Sequence, residues 1–280
     1  MTMKYMNSLK DPGYIVGKLL KGDQRMAARL ITFVENECEG YKTVMRKIYP
    51  YTGKSMILGI TGAGGAGKST LIDNLISEFR AQGKTVAAVL VDPTSPFSGG
   101  AFLGDRIRLK KYACDDGTFI RSIASRGKLG GLSKAIYNIV RILEAMQFDI
   151  IIVETVGAGQ DAIEINYIAQ TCMLVFAPGM GDEIQVLKAG IMEIADIIVL
   201  NKADLEGAKA CLVDLQNAIS MEKMEQISWI PKIIPTVSIA NRSSAVQGIK
   251  RLIDCIYKHQ KYLKDTNLME NSRVSRIEHE

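Results

Sequence analysis

Gly62-Ala63-Gly64-Gly65-Ala66-Gly67-Lys68-Ser69 is the stretch that decides the fold. It fits G-x-x-x-x-G-K-[ST], a spacing that turns backbone N–H groups inward as a phosphate cradle. Lys68 then reaches the β and γ oxygens, and Ser69 offers its hydroxyl to Mg²⁺. The apolar run Met56–Thr61 in front reads as a buried strand. Ser69 to Ile76 behind opens a helix with its positive dipole end toward the phosphates, which adds Thr70 to the nucleotide-binding candidates. With strand and helix in place on both sides, a chance Gly-rich turn is the weaker reading.

A second motif selects the base. The apolar strand Ile197–Leu200 runs into Asn201-Lys202-Ala203-Asp204, an N-K-x-D arrangement. A carboxylate at Asp204 accepts two hydrogen bonds from guanine, one from the ring N–H and one from the exocyclic amine. Adenine offers neither in that geometry, so GTP/GDP is favoured over ATP. The plainer alternative makes Asp204 an N-cap in a strand-to-helix turn. Ser238, Ile239 and Ala240, after the strand candidate Ile233–Val237, complete the nucleotide-binding set.

The 280 residues, 47% of them hydrophobic, suffice for one large domain with appendages. No apolar run reaches membrane-spanning length, and Met1–Ser8 lacks the hydrophobic stretch of a signal peptide. The five cysteines are scattered and form no C-x-x-C pair, as in a reduced cytoplasmic protein. With only His259 and His279, a His-based metal site is not expected. A net charge of +5 without a basic stripe interleaved with aromatics argues against a nucleic-acid partner.

Apolar residues at helical spacing make 12–48 helical, with Asp23 capping a helix near Gln24. Strands are expected at Met56–Thr61, Thr85–Val91, Asp149–Glu154, Met173–Ala177, Ile197–Asn201 and Ile233–Val237. Helices are expected at Lys68–Ala81, Gly131–Met146, Glu183–Glu193, Leu205–Met221 and Ala245–Leu263. The alternation predicts an α/β P-loop NTPase fold, a mostly parallel sheet with helices on both faces, plus an N-terminal helical extension. The expected division is 1–50 for that extension, 51–263 for the nucleotide-binding domain and 264–280 for a polar tail. Ligands bind at the C-terminal ends of such strands, where each motif falls.

Two further strand ends carry acidic residues. Val91-Asp92 opens a long loop containing Pro93, Pro96, Gly99 and Gly100, which closes at Leu103-Gly104-Asp105-Arg106. Its functional reading is a switch segment whose Asp92 and Asp105 hold Mg²⁺, directly or through water. The alternative has Asp92 starting a turn and Asp105 capping a helix. Asp149–Glu154 delivers Glu154, followed by Thr155-Val156-Gly157. The carboxylate would stand behind the magnesium water shell and the Gly157 N–H would sense the γ-phosphate. Gln160 is a candidate to orient the attacking water. Arg106, Arg108, Arg121 and Arg126 are candidates to neutralise transition-state charge.

Taken together, Ile60-Thr61-Gly62 into the phosphate loop, Val91 to Gly100, Leu103-Gly104-Asp105-Arg106, Ser125 to Leu132, Val153-Glu154-Thr155-Val156-Gly157 and Gly190 to Asp196 resemble the MeaB/ArgK family. These P-loop GTPases, the methylmalonic aciduria type A protein among them, act as chaperones of adenosylcobalamin-dependent acyl-CoA mutases. The resemblance covers roughly residues 15–265. It implies that GTP binding and hydrolysis gate cofactor loading and protect the mutase, methylmalonyl-CoA mutase by default. It maps Ser69, Asp92, Asp105 and Glu154 onto the family's Mg²⁺ and GTPase residues, with Lys68 as the phosphate lysine. Pro178 to Gln185 matches its third switch loop, so that Asp182, Glu183 and Gln185, with Gln160, couple nucleotide state to the partner. The chain departs from the family at Gly65, where a proline is usual, at Met180, and at Asp161. Many members continue past the position of Glu280 with a helical arm that helps form a homodimer, so dimerisation by that route stays open. Two other classes compete: a kinase or transport ATPase, against which Asn201-Lys202-Ala203-Asp204 argues, and a nickel-type metallochaperone GTPase, against which the lack of a His- or Cys-rich cluster argues.

Overall fold

A computed structural model describes residues 11–92, 109–112, 114–124, 134–155, 160–179, 194–221, 229–239 and 246–268. Seven strands form one parallel sheet in the order β3-β2-β4-β1-β5-β6-β7. They are β1 Met56–Gly62, β2 Val86–Asp92, β3 Thr118–Ala124, β4 Ile150–Glu154, β5 Thr171–Phe176, β6 Ile197–Leu200 and β7 Lys232–Pro235. The helices are α1 Pro12–Leu19, α2 Gln24–Glu35, α3 Tyr41–Ile48, α4 Lys68–Ala81, α5 Lys134–Ala145, α6 Gln160–Ile168, α7 Ala208–Met221 and α8 Ile249–Asp265.

The sheet is parallel and covered on both faces, so its inner strands are apolar at every position. Alternate side chains divide between two cores. Ile57, Ala87, Val89, Ile151 and Val153 face α1, α2, α3, α5 and α6. Leu58, Ile60, Ala88, Leu90, Ile152, Met173 and Val199 face α4 and α8. A smaller cluster seats α7 on β5 and β6 through Leu174, Phe176, Ile198, Leu200, Cys211 and Leu215.

The six expected strands are present, with ends shifted by a residue or two, and the sheet has a seventh. Strand β3 was not expected, because Arg121 and Ser122 interrupt its apolar pattern; it lies at the sheet edge, where such residues are tolerated. Helix α6 was likewise not expected. The helical region at 12–48 is three helices. Asp11 Oδ1 caps the first by accepting from Gly13 N (2.8 Å) and Tyr14 N (3.2 Å), with Pro12 at its first position. Asp23 caps the second through Met26 N (2.9 Å), as expected, and Gly40 precedes the third. Helix α7 starts at Ala208 and α8 at Ile249. The helix expected at Glu183–Glu193 lies outside the described residues.

At the far end of the sheet from the phosphate loop, His259 of α8 is buried. Its Nδ1 lies 2.9 Å from Thr171 Oγ1, its Nε2 lies 3.2 Å from Asp196 Oδ1, and Trp229 covers its ring at 4.7 Å. Gln260 Nε2 also donates to Thr171 Oγ1 (2.9 Å). The cluster ties α8 to the starts of β5 and β6.

Below α4, Arg80 forms a fork with Asp115: Nε to Oδ2 and Nη2 to Oδ1, both 2.7 Å. Asp115 also accepts from Thr118 Oγ1 (2.7 Å) and Gly117 N (3.0 Å). The Arg80 guanidinium first, and the Thr118 hydroxyl next, hold the carboxyl well below the usual carboxylate range. A depressed native pKa gives stability that is present above the unfolded value of about 4 and is lost as pH falls through the native one. Asp115→Asn should therefore flatten the acid limb of a thermal-stability profile taken from pH 7 to pH 3. The effect should be modest, because both side chains are about 30% exposed. Parallel profiles for the two proteins would contradict the assignment.

Candidate nucleotide site

Strand β1 runs up the middle of the sheet and delivers the phosphate loop, and α4 leaves it at Lys68. Gly67 precedes the helix at φ +89°, and a Cβ there would lie 2.4 Å from Asn201 Nδ2. Only glycine meets both demands. Gly65 sits at φ +77°, which a proline ring cannot take. A proline at Gly65 therefore does not fit this loop conformation. Gly64 has no positive φ and open space where a Cβ would stand.

The Lys68 ammonium is buried and donates to the carbonyls of Gly62 (2.8 Å) and Ala63 (3.0 Å), which holds it inside the loop. Ser69 Oγ donates to Glu154 Oε1 (3.1 Å) at the end of β4, where the carboxylate is only 6% exposed. One hydroxyl and one buried carboxylate thus meet at the mouth of the loop. These are hard oxygen donors of the kind Mg²⁺ takes alongside phosphate oxygens and water. Among the described residues no three His, Cys, Asp or Glu side chains gather into a metal cluster.

Asp92 ends β2 in register with Ala124 of β3, on the same edge of the sheet, though its side chain lies outside the described residues. Asp105, Gly157, Asp182, Glu183, Gln185, Ala240, Arg106, Arg108 and Arg126 lie outside them too. Gln160 opens α6, and its side chain is likewise not described. Arg121 belongs elsewhere: its Nη2 donates to Thr32 Oγ1 (3.0 Å) and Glu35 Oε2 (2.9 Å), so it fastens β3 to α2 and is no candidate for transition-state charge.

The base-selecting strand end is knitted to the phosphate loop. Asn201 Nδ2 donates to Ala66 O (2.9 Å), and its Oδ1 accepts from Ser238 Oγ (2.8 Å) and Thr236 Oγ1 (3.1 Å). Lys202, at φ +55°, lays its Nζ on Gly65 O (2.8 Å). Helix α7 begins at Ala208, four residues after Asp204, so Asp204 does not cap it. The Asp204 side chain is exposed at the rim, with Ser238 buried behind and Ile239 58% exposed.

Four site residues were assigned no role from the sequence. Asn74 of α4 donates to Ser238 O (2.7 Å) and Thr70 O (3.0 Å). Thr155 and Thr61 share a hydroxyl bond of 2.8 Å beneath the loop, and Thr236 joins the Asn201 cluster. A polar side chain inside an otherwise apolar strand end was the available hint for the threonines. For Asn74 there was none.

The family model described as methylmalonyl Co-A mutase-associated GTPase MeaB matches residues 27–280. The chain belongs to the MeaB family. It is 50% identical over 268 residues to a Pyrococcus horikoshii protein whose name assigns it as a GTPase, covering 95% of this chain and 83% of that one. It is 32% identical to the GTPase ArgK of Escherichia coli, covering 81% and 71%. It is 34% identical to a mitochondrial methylmalonic aciduria type A homolog of Caenorhabditis briggsae, covering 81% and 59%. Among solved structures, a LAO/AO transport system kinase matches with TM-score 0.75 at 23% identity, over 95% of this chain and 80% of that one. The hydrogenase maturation factor HypB of Archaeoglobus fulgidus matches with TM-score 0.53 at 19% identity, over 83% and 97%. These two likenesses speak to the fold, a parallel sheet flanked by helices. Family membership makes the protein a GTPase that binds guanine nucleotide.

Gly67→Ala should push Asn201 off Ala66. Leaving that buried amide unpaired costs about 1–3 kcal/mol, or about 5- to 150-fold in GDP affinity by fluorescent-nucleotide titration. An unchanged dissociation constant would mean that Asn201 does not hold the loop.

Proposed function

We propose that this GTPase is a chaperone of an adenosylcobalamin-dependent acyl-CoA mutase, with methylmalonyl-CoA mutase the first partner to test. The observation that carries the reading is the family match over residues 27–280, whose description names that mutase. The Caenorhabditis briggsae relative points the same way by name. In this reading GTP binding and hydrolysis gate loading of intact cofactor, and the chain works where the mutase does, in the cytoplasm. A homodimer is compatible with it.

The phosphate loop from Gly62 to Thr70 cradles the β-phosphate, and Lys68 leaves its loop carbonyls for the β and γ oxygens. Ser69, Asp92 and Asp105 would hold a magnesium ion, with Glu154 accepting hydrogen bonds from Ser69 and from the ion's water shell. Magnesium there would neutralise charge building between the β- and γ-phosphates. Asp204 reads guanine, Asn201 and Lys202 brace the loop beneath it, and Ser238, Ile239 and Ala240 close the base side. Gly157 senses the γ-phosphate. Gln160, Asp182, Glu183 and Gln185 pass that state to the partner.

The test is GTP against ATP hydrolysis with and without purified methylmalonyl-CoA mutase from the same source. GTP-selective turnover, slow alone and raised about tenfold or more by the mutase, is expected, since a partner-supplied group commonly limits such rates. A GTPase rate that ignores every adenosylcobalamin mutase at saturation would sink the chaperone reading and leave the GTPase standing. Lys68→Ala should abolish hydrolysis. Asp204→Ala should erase the preference for GTP, and a variant that still discriminates against ATP would move base recognition elsewhere.

A further inference from the structure

Asp73 lies one turn beyond Ser69 on α4, so the two residues share a helix face. Tyr112 Oη donates to Asp73 Oδ1 at 2.8 Å and lies 3.0 Å from the Asp73 carbonyl oxygen. Lys111 Nζ pairs with the same carboxylate at 2.7 Å and stands 5.0 Å over the Tyr112 ring. Leu109, at the start of this short helical turn Leu109–Tyr112, is buried in the α4 core. Two turns further along α4, Arg80 grips Asp115. The chain from Leu109 into β3 is therefore fastened to the phosphate-loop helix at two points two turns apart. Burial first, and the Asp73 carboxylate next, raise the Tyr112 hydroxyl well above the usual phenol range, so it stays a donor at any physiological pH.

Nothing in the nucleotide site as described above uses these bonds. Yet they stand at the point where the chain that leaves β2 at Asp92 first meets α4 again among the described residues. Ser69 is fixed by the register of α4, and the position of Tyr112 is fixed by Asp73 on that same helix. One hydrogen bond thus relates the metal-facing serine to the end of the segment that contains Asp105.

We propose that Asp73 and Tyr112 are positioning residues for GTP hydrolysis, their hydrogen bond setting where the Leu109–Tyr112 turn is held against the phosphate-loop helix one turn below Ser69. The inference rests on the reading that Asp105, in the segment that ends at this turn, serves the magnesium site. A bond of this kind acts on the placement of reacting groups and leaves nucleotide binding alone.

The experiment is single-turnover and steady-state GTP hydrolysis across a magnesium titration, with GDP affinity and Tm measured on the same proteins. Tyr112→Phe keeps the ring and removes only the hydroxyl. It should lower kcat about tenfold and raise the half-saturating magnesium several-fold, a loss typical of misplacement by a fraction of an ångström, with GDP affinity in excess magnesium unchanged. Asp73→Ala should behave alike. Asp73→Asn keeps an acceptor for Tyr112 and should restore kcat to within about twofold. Lys111→Gln removes an exposed partner and should match the wild type. Wild-type kcat and magnesium dependence in both Tyr112→Phe and Asp73→Ala would overturn the proposal. So would a loss in which GDP affinity and Tm fall together and Asp73→Asn gives no rescue, since that is structural damage. Asp105→Asn separates the two readings: wild-type magnesium dependence there, with Tyr112→Phe still slow, removes the metal role of Asp105 and keeps the anchor.

Discussion

The Asn201 side chain is the point at which three loops become one site. Its amide donates to the phosphate loop at Ala66, and its carbonyl receives the hydroxyls of Thr236 and Ser238. It is buried, so each of these bonds must be made or its loss felt in full. Three connections that are far apart in sequence must therefore keep one mutual arrangement, and Gly67 has to lack a Cβ because the amide occupies that space. Lys202 adds a second tie to the same loop at Gly65. Asp204, three residues on from Asn201, therefore leaves a strand end that is tied to the phosphate loop.

The sheet makes this arrangement possible because its strands are parallel and central ones are covered on both faces. Their C-terminal ends all open on one edge, and β1 lies between β4 and β5, so Gly62 emerges beside Glu154 and close to the β6 end that carries Asn201. The opposite edge is closed by unrelated means. There the His259 ring joins Thr171 to Asp196 under Trp229, and Asp149 accepts from the Thr85 backbone (2.8 Å) and hydroxyl (2.9 Å). Burial works against that Asp149 charge, but the Thr85 bonds and Lys84 outweigh it and hold its carboxyl below the usual range. Polar residues thus cluster at both ends of the strands while the span between them is apolar.

This division explains what could be read from the sequence. Strands buried on both faces show as continuous apolar runs, and β1, β2, β4, β5 and β6 were legible for that reason. Strand β3 borders only β2, and its Arg121 reaches out to Glu35, so it lost the pattern that identifies the others. The phosphate loop and Asn201-Lys202-Ala203-Asp204 were legible because their chemistry demands residue types at fixed spacing. Asn74, Thr61, Thr155 and Thr236 were not, because they act by holding backbone and other hydroxyls, which many polar residues do. Arg121 was misread for a related cause. Position in a loop-rich stretch suggested a catalytic cation, whereas α2, remote in sequence but beside β3 in the fold, takes the guanidinium.

The same reasoning places weight on α4. One helix carries Lys68 and Ser69 in its first turn, Asp73 and Asn74 in its second, and Arg80 near its end, while Leu71, Ile72, Leu75, Ile76 and Phe79 sink into the core. Its polar residues meet partners from other connections: Glu154 on Ser69, Ser238 on Asn74, Tyr112 on Asp73 and Asp115 on Arg80. A helix embedded this way cannot shift along its axis without breaking contacts to three connections at once. A helix fixed at so many points gives a GTPase a frame that sets where its nucleotide is held.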